Sequence, residues 1–417
     1  MRILNVSQNY FVAGGMDVVM FEQERILRER GIDVIPFAAD DPQNRDTPFA
    51  RYFPTAPRTE GGSARDLLRT LYSRNAAKAM ERLLDDEQVD LVHLHSYFKR
   101  LTSAILPVIR KRGIPIVQTL HEYRAVCPVS TMFRAGHLCF QCRDRRYSHV
   151  IRHRCAGGSL AKSAWNAAEM WLSDVMGHKR DVERFFTISD FQRALLIEMG
   201  MDAERLVTLS NPIAMPPRER GRGAQEHVLF FGRLEPYKGV GEVIALARRL
   251  PGLRFVIAGT GSMQQEVQHQ AAALPNLYFR GPLTGDALLR EIDAAFVVLV
   301  PSLWPEAFGL TAAEAHMRSV PVVASNIGGM TETVRDSIDG FLIEPGEIGD
   351  FASALWRLGG DLDLAHTMGT AGLERARVRY GADRFFDRLH AQYLDVIAAS
   401  RRGQRGATDG RRRKDGY

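Results

Sequence analysis

Short apolar runs alternate with longer amphipathic stretches along the chain. In the first half, Arg2–Gln8, Asp33–Phe37, Leu91–His95, Ile114–Leu120 and Phe185–Ile188 have the length and apolarity of buried strands. Val18–Arg30, Ser63–Asp86 and Thr102–Arg112 carry helical patterns between them. This alternation predicts a parallel sheet with right-handed crossovers. A second series begins near His227, with strands predicted at Val228–Phe231, Arg254–Ala258, Leu277–Arg280, Ala295–Pro301 and Val320–Ala324. Its helices include Val240–Leu250 and Thr311–Met317. Asp40–Gly62, rich in Pro, Asp, Arg and Gly, predicts a long mobile loop. Asn211–Gly223 holds three prolines and two glycines and reads as a linker.

The expected organisation is therefore α/β throughout. Residues 1–210 form a first domain, 211–223 the linker and 224–380 a second domain. A last helix (381–399) precedes a polar tail (400–417). Open α/β sheets bind ligands at the carboxyl ends of their strands, so two of them in tandem predict a ligand in the cleft between.

Composition narrows the picture. The 417 residues suffice for two full cores, and 45% hydrophobic with 25% charged residues is ordinary for a globular protein. No apolar run reaches the roughly 18 residues of a transmembrane helix. Met1–Val6 reads as a strand rather than a leader, so a cytoplasmic protein is expected. The net charge is +6, but Arg401–Tyr417 alone holds seven Lys/Arg against two Asp/Glu. The remainder is near neutral, which argues against a nucleic-acid-binding face. The tail is expected to be a solvated, disordered end. It could also meet anionic lipid at the inner face of the cell membrane, at about 1 kcal/mol per basic residue.

Two segments carry candidate chemistry. In Phe230–Gly239, Gly232, Arg233 and Lys238 follow a predicted strand. Gly232 permits close backbone approach, Arg233 can grip phosphate oxygens bidentately, and Lys238 supplies a compact charge. In Pro301–Glu314, Glu306 precedes a predicted helix start and Glu314 lies inside the helix. The helix N-terminus offers N–H groups to an anion, and carboxylates accept hydrogen bonds from sugar hydroxyls. Each segment alone is equally compatible with a solvated surface turn or helix face.

Together, and in this order, the two segments resemble the group 1, or family 4, retaining glycosyltransferases. Gly14-Gly15, His121-Glu122, Ser210-Asn211-Pro212 and Ala258-Gly259-Thr260-Gly261 fit the same pattern, which covers nearly the whole chain. The resemblance implies a GT-B fold of two facing Rossmann-like domains, the last helix crossing back to the first. It implies transfer of a hexose-type sugar from a UDP- or GDP-sugar to a glycan or lipid-linked glycan, in surface or exopolysaccharide synthesis. Arg233 and Lys238 would bind the diphosphate, Glu306 the transferred sugar and Glu314 the ribose. Backbone amides of Phe308, Gly309 and Leu310 would meet sugar and phosphate, and residues Gly281–Leu283 would border the base. Retention implies front-side attack without a protein nucleophile. No metal is expected in catalysis, because two cations and a helix terminus can stabilise the leaving diphosphate. No Asp-x-Asp motif stands at the expected cleft position.

On the acceptor side, Gly14-Gly15 would let the first domain approach the donor as the cleft closes. His121, after Ile114–Leu120, and His95, ending Leu91–His95, are candidates for contacting sugar or acceptor. Cys127, Cys139, Cys142 and Cys155 form C-x11-C-x2-C-x12-C, whose central gap has knuckle spacing. The insert holding them has few apolar residues, so a structural zinc is expected to order it, with four unrelated thiols or a Cys139/Cys142 redox pair as the alternatives. His137, His149 or His153 could replace one ligand. Two other function classes fit less of the sequence. A catalytically inactive scaffold leaves the set Arg233, Lys238, Glu306 and Glu314 without a purpose. A zinc-containing nucleic-acid binder leaves the two glutamates unexplained.

Overall fold

The computed structural model describes residues 1–57, 64–218 and 226–412, and the side chains of residues 64 and 403–412 are left aside. In the N-terminal half, six strands are β1 (Arg2–Ser7), β2 (Asp33–Phe37), β3 (Leu91–Ser96), β4 (Ile116–Leu120), β5 (Arg184–Thr187) and β6 (Leu206–Thr208). They form one parallel sheet in the order β2-β1-β3-β4-β5-β6. The C-terminal half contains β7 (His227–Arg233), β8 (Phe255–Thr260), β9 (Leu277–Gly281), β10 (Ala295–Val300), β11 (Val322–Ser325) and β12 (Gly340–Ile343). These are also parallel, in the doubly wound order β9-β8-β7-β10-β11-β12. Continuous burial of β1, β4, β7 and β10 explains their unbroken apolar runs, since helices cover both faces.

Several boundaries differ from expectation. The helix predicted over Ser63–Asp86 is two helices, Ala64–Leu71 and Arg74–Asp86, because Ser73 caps the second by accepting the N–H of Ala76. Thr102–Arg112 is a 3₁₀ turn, Ser103–Ile105, followed by Leu106–Lys111. The loop after Asp40 is anchored: Asp41 pairs with Arg100 at 2.8 Å, Arg45 lies 3.5 Å over the Phe21 ring, and Pro48–Tyr52 forms a 3₁₀ turn. Its residues 58–62 lie outside the described residues, as do 219–223 of the linker.

The last helix, Ala382–Arg412, packs on the N-terminal sheet. Phe385, Leu389, Tyr393, Val396 and Ile397 complete a core with Ile3, Ile26, Val34, Leu91, Val117 and Phe186. It runs well beyond residue 399, so most of the stretch expected to be a disordered tail is helical. No proline interrupts it, and Arg401 pairs with Asp90 at 3.1 Å. Residues 413–417 lie outside the described residues. No helix among the described residues is long and apolar enough to cross a membrane.

Candidate active site

In the C-terminal sheet the crossovers diverge between β7 and β10, and the loops leaving these two strands carry the residues singled out from sequence. Gly232 and Arg233 end β7. Gly232 has φ +137°, a conformation costly for any residue with a Cβ. The chain then turns through the 3₁₀ segment Pro236–Lys238. After β10, the loop from Pro301 leads to the helix Leu310–Met317. The two loops meet: Lys238 Nζ lies 2.8 Å from Glu306 Oε1, to which Ser302 Oγ also donates at 2.7 Å. Lys238 sits 5.3 Å over the Trp304 ring, and Arg233 lies 5.9 Å from the Tyr237 ring centre. Arg233 is exposed and forms no ion pair among the described residues. One cation is thus held against a carboxylate while the other projects freely.

Gly309 precedes the helix at φ +91°, with Met330 Sδ 2.7 Å from where a Cβ would stand. Any side chain here would both strain the backbone and clash. The amides of Phe308, Gly309 and Leu310 find no protein acceptor among the described residues, which leaves an anion-ready helix terminus. Glu314 lies one turn further in and is half-buried, with no hydrogen-bond partner among the described residues. Burial pushes its carboxyl up to about 8, so it is largely protonated at neutral pH in the unliganded chain.

The N-terminal sheet contributes residues from several strand ends. His121, just after β4, accepts or donates a 2.9 Å hydrogen bond between its Nε2 and His95 Nδ1. His95 stacks on His93, with ring centres 4.5 Å apart. His93 is held by Thr119 Oγ1 at 2.8 Å, by Gln23 at 3.0 Å and by the Tyr393 hydroxyl of the last helix at 2.5 Å. Burial pushes His121 and His93 down to about 3 and holds His95 well below the usual range, so the row is neutral. His121 can therefore orient a hydroxyl by hydrogen bonding but carries no charge to donate.

Gly14 and Gly15 open the helix Gly15–Glu29. The Asp17 carboxylate accepts the N–H groups of Ala13 and Gly14, both at 3.0 Å, and so shapes the turn. A Cβ on Gly15 would stand 3.0 Å from Leu310 Cδ2, so the two halves come into close contact at the glycine pair. Other bridges run alongside. Tyr123 Oη donates to the Pro305 carbonyl at 3.0 Å, the Ser189 hydroxyl to the Ala307 carbonyl, and Trp304 Nε1 to the Thr131 carbonyl at 2.7 Å. Sequence reasoning missed Asp17, Tyr123, Ser189, Trp304 and Tyr393. Asp17 and Ser189 had a local signal, their capping-box spacings from Gly14 and to Gln192.

The zinc expected on the cysteines is not supported. Among the described residues, no group of three or more His, Cys, Asp or Glu is placed to hold a metal ion. All four cysteines are unbridged. Cys127 sinks into the main core, while Cys142 and Cys155 pack against Tyr147, Val150, Ala167 and Met170. Burial, with the other three thiols adding, pushes Cys142 up to about 12. A buried Arg124–Glu169 ion pair, with Arg124 also donating to the Pro128 carbonyl, fastens the segment to the helix Leu160–Val175. The insert thus has a small apolar core of its own, in which the thiols behave as compact hydrophobes.

Comparison with known proteins agrees with this geometry. Residues 13–215 match the family described as Glycosyltransferase Family 4, and residues 216–375 match Glycosyl transferases group 1. The D-inositol 3-phosphate glycosyltransferase of Geodermatophilus obscurus is 28% identical, over 94% of this chain and 88% of that protein. Its counterpart from Mycobacterium tuberculosis is 26% identical, over 92% and 79%. Among solved structures, sucrose-phosphate synthase from Thermosynechococcus elongatus superposes with a TM-score of 0.71 at 18% identity, covering 96% of this chain and 100% of the other. Anabaena HepE in complex with UDP-glucose gives 0.63 at 18%, also over 96% and 100%. With two facing doubly wound sheets and both family halves matched in order, the chain belongs to the group 1, family 4 glycosyltransferases of the GT-B fold.

Proposed function

We propose that this glycosyltransferase moves a hexose-type sugar, with retention, from a UDP- or GDP-sugar to a glycan or lipid-linked glycan in surface or exopolysaccharide synthesis. The observation that carries the reading is the meeting of Lys238 with Glu306 beside the unoccupied amides of Phe308, Gly309 and Leu310. Diphosphate binding would draw Lys238 toward the phosphates, where Arg233 already projects, and free Glu306 to accept hydrogen bonds from the sugar. Glu314, without a hydrogen-bond partner among the described residues, would take the ribose hydroxyls. In the reaction the bond from sugar C1 to the diphosphate oxygen breaks, and C1 bonds to the acceptor oxygen. The acceptor's proton passes to the departing phosphate. Arg233, Lys238 and the helix amides would stabilise the negative charge that grows on that leaving group. Neutral His121 would orient a sugar or acceptor hydroxyl.

The HepE complex with UDP-glucose supports a nucleoside diphosphate sugar as donor. Exposed apolar side chains on two neighbouring helices of the N-terminal half support a lipid-linked acceptor. Leu67, Leu68, Tyr72, Trp171 and Val175 are exposed there, and Trp165 Nε1 ties their two helices through Thr70 Oγ1 at 2.9 Å. Such side chains suit peripheral contact with a membrane.

The test is a screen of nucleotide sugars against the purified full-length protein, with and without lipid-linked glycan acceptors, followed by anomeric assignment of the product. Acceptor-dependent release of UDP or GDP with a retained anomer is expected. An inverted product, or the absence of turnover with every donor, overturns the reading.

A further inference from the structure

A cavity of about 690 Å³ lies away from the donor loops, where the two halves and the last helix come together. Asp190, Thr208 and Ser210 line it from the N-terminal half. Arg335 and the helix Leu362–Tyr380 line it from the C-terminal half. That helix presents Arg375 and Arg379, and the last helix presents Arg384 and Arg388. Each pair is spaced four residues apart, so both members share one helix face. Two arginine pairs on neighbouring helices therefore line one cavity. Like charges at this spacing repel, a cost that a bound anion would relieve.

Carboxylates offset part of this charge: Asp190 and Glu374 also line the cavity, against five arginines. Asp339 pairs with Arg335 at 2.6 Å, and Glu332 pairs with Arg379 at 3.1 Å. Arg375 is spent on the carbonyls of Thr333 and Glu332, which fix its orientation. Asp190 accepts the Thr208 hydroxyl at 2.5 Å. Arg388 donates to the Thr208 carbonyl at 2.6 Å, but neither it nor Arg384 has an ion-pair partner among the described residues. Burial, together with neighbouring guanidiniums, holds both Arg375 and Arg388 below the usual arginine range.

We propose that this cavity binds a small, soluble, phosphate-bearing polyanion, of the size of a diphosphate or phosphorylated sugar, as a site separate from the donor cleft. Arg384 and Arg388 supply its uncommitted donors, and Arg375, Arg379 and Arg335 supply the surrounding potential. The ligand touches elements of both halves and the crossing helix.

Calorimetric titration of sodium pyrophosphate into the full-length protein tests this, comparing wild type with Arg384→Ala/Arg388→Ala. Both proteins keep Arg233 and Lys238, so a difference between them reports on the junction whether or not the donor assignment stands. Pyrophosphate binding at the junction is expected to weaken at least tenfold in the double variant. Arg384→Ala alone, at an exposed residue without an ion pair, is expected to weaken it severalfold and serves if the double variant does not fold. Flotation with phosphatidylglycerol vesicles separates a lipid headgroup from a soluble ligand, and equal flotation of both proteins is expected. Identical pyrophosphate isotherms, no pyrophosphate binding to wild type, or a loss confined to vesicle flotation would each overturn the proposal.

Discussion

The two sheets place their switch points differently in sequence but equivalently in space. In the C-terminal sheet the strands diverge between β7 and β10, and two loops of a few residues each bring Arg233, Lys238 and Glu306 to one spot. In the N-terminal sheet they diverge between β1 and β3. There the turn before Gly15 leaves β1, but the proposed acceptor surface is spread over the ends of β3 and β4, the helix Gly15–Glu29 and the last helix. His121 alone depends on His95, which stacks on His93, which in turn is held by Gln23 and Tyr393. A site that grips a diphosphate needs charges and amides at fixed local spacing, so it compresses into motifs. A site that orients a neutral hydroxyl can be assembled from distant residues, and no motif records it.

This contrast can be broken at its compact end first. Lys238→Ala is expected to lower kcat by about 100-fold, the loss of roughly 3 kcal/mol of developing-charge stabilisation, with the fold intact by circular dichroism. Steady-state kinetics at saturating donor checks it, and wild-type turnover would sink the diphosphate assignment.

Glu314→Gln should weaken nucleotide binding by about fivefold, the worth of about 1 kcal/mol, since a neutral carboxyl and an amide differ only in part of their hydrogen bonding to the ribose. A second readout is pH. Burial pushes the folded carboxyl up to about 8, whereas an exposed glutamate of the unfolded chain titrates near 4.5. Between these values the unfolded chain has already released its proton, so wild-type stability falls as pH rises from 4.5 through 8. The glutamine variant should lose that slope, and melting temperatures of the unliganded proteins across this window decide the matter.

At the dispersed end, Tyr393→Phe removes one hydroxyl far from any substrate. We expect about a fivefold loss in kcat/KM for acceptor, the worth of about 1 kcal/mol of hydrogen bonding, with donor affinity unchanged. Equal loss for donor and acceptor would show a general loosening of the N-terminal half rather than a misplaced His121. The smallest effect belongs to deletion of Arg401–Tyr417, which should leave transfer to a soluble acceptor unchanged and at most reduce vesicle binding at low salt.

What was legible in sequence follows the same division. The buried strands were visible within two residues because continuous apolar runs report burial on both faces. β6 and β12 were not, since Leu206–Thr208 and Gly340–Ile343 are short edge strands with too few positions to show a pattern. Arg233, Lys238, Glu306 and Glu314 could be named because each sits beside a glycine, a strand end or a helix start. Trp304 and Tyr123 could not, because their importance lies in reaching across the cleft to the Thr131 and Pro305 carbonyls. The cysteine spacing brings the thiols within one another's field, as the raised Cys142 shows, but no metal-holding group is formed among the described residues, and Cys142 and Cys155 pack against Tyr147 and Met170.

The crossing of the last helix also has a consequence for how the protein is made. Phe385, Leu389 and Tyr393 fill the face of a sheet whose first strand begins at Arg2. During synthesis the N-terminal half emerges first, yet this part of its core stays incomplete until the last helix has been translated. The C-terminal sheet, whose strands lie between His227 and Ile343, can close earlier. A chain truncated before Phe385 would present an apolar surface to other chains and to quality control, so losing this helix alone should be nearly as damaging as losing a larger part of the chain.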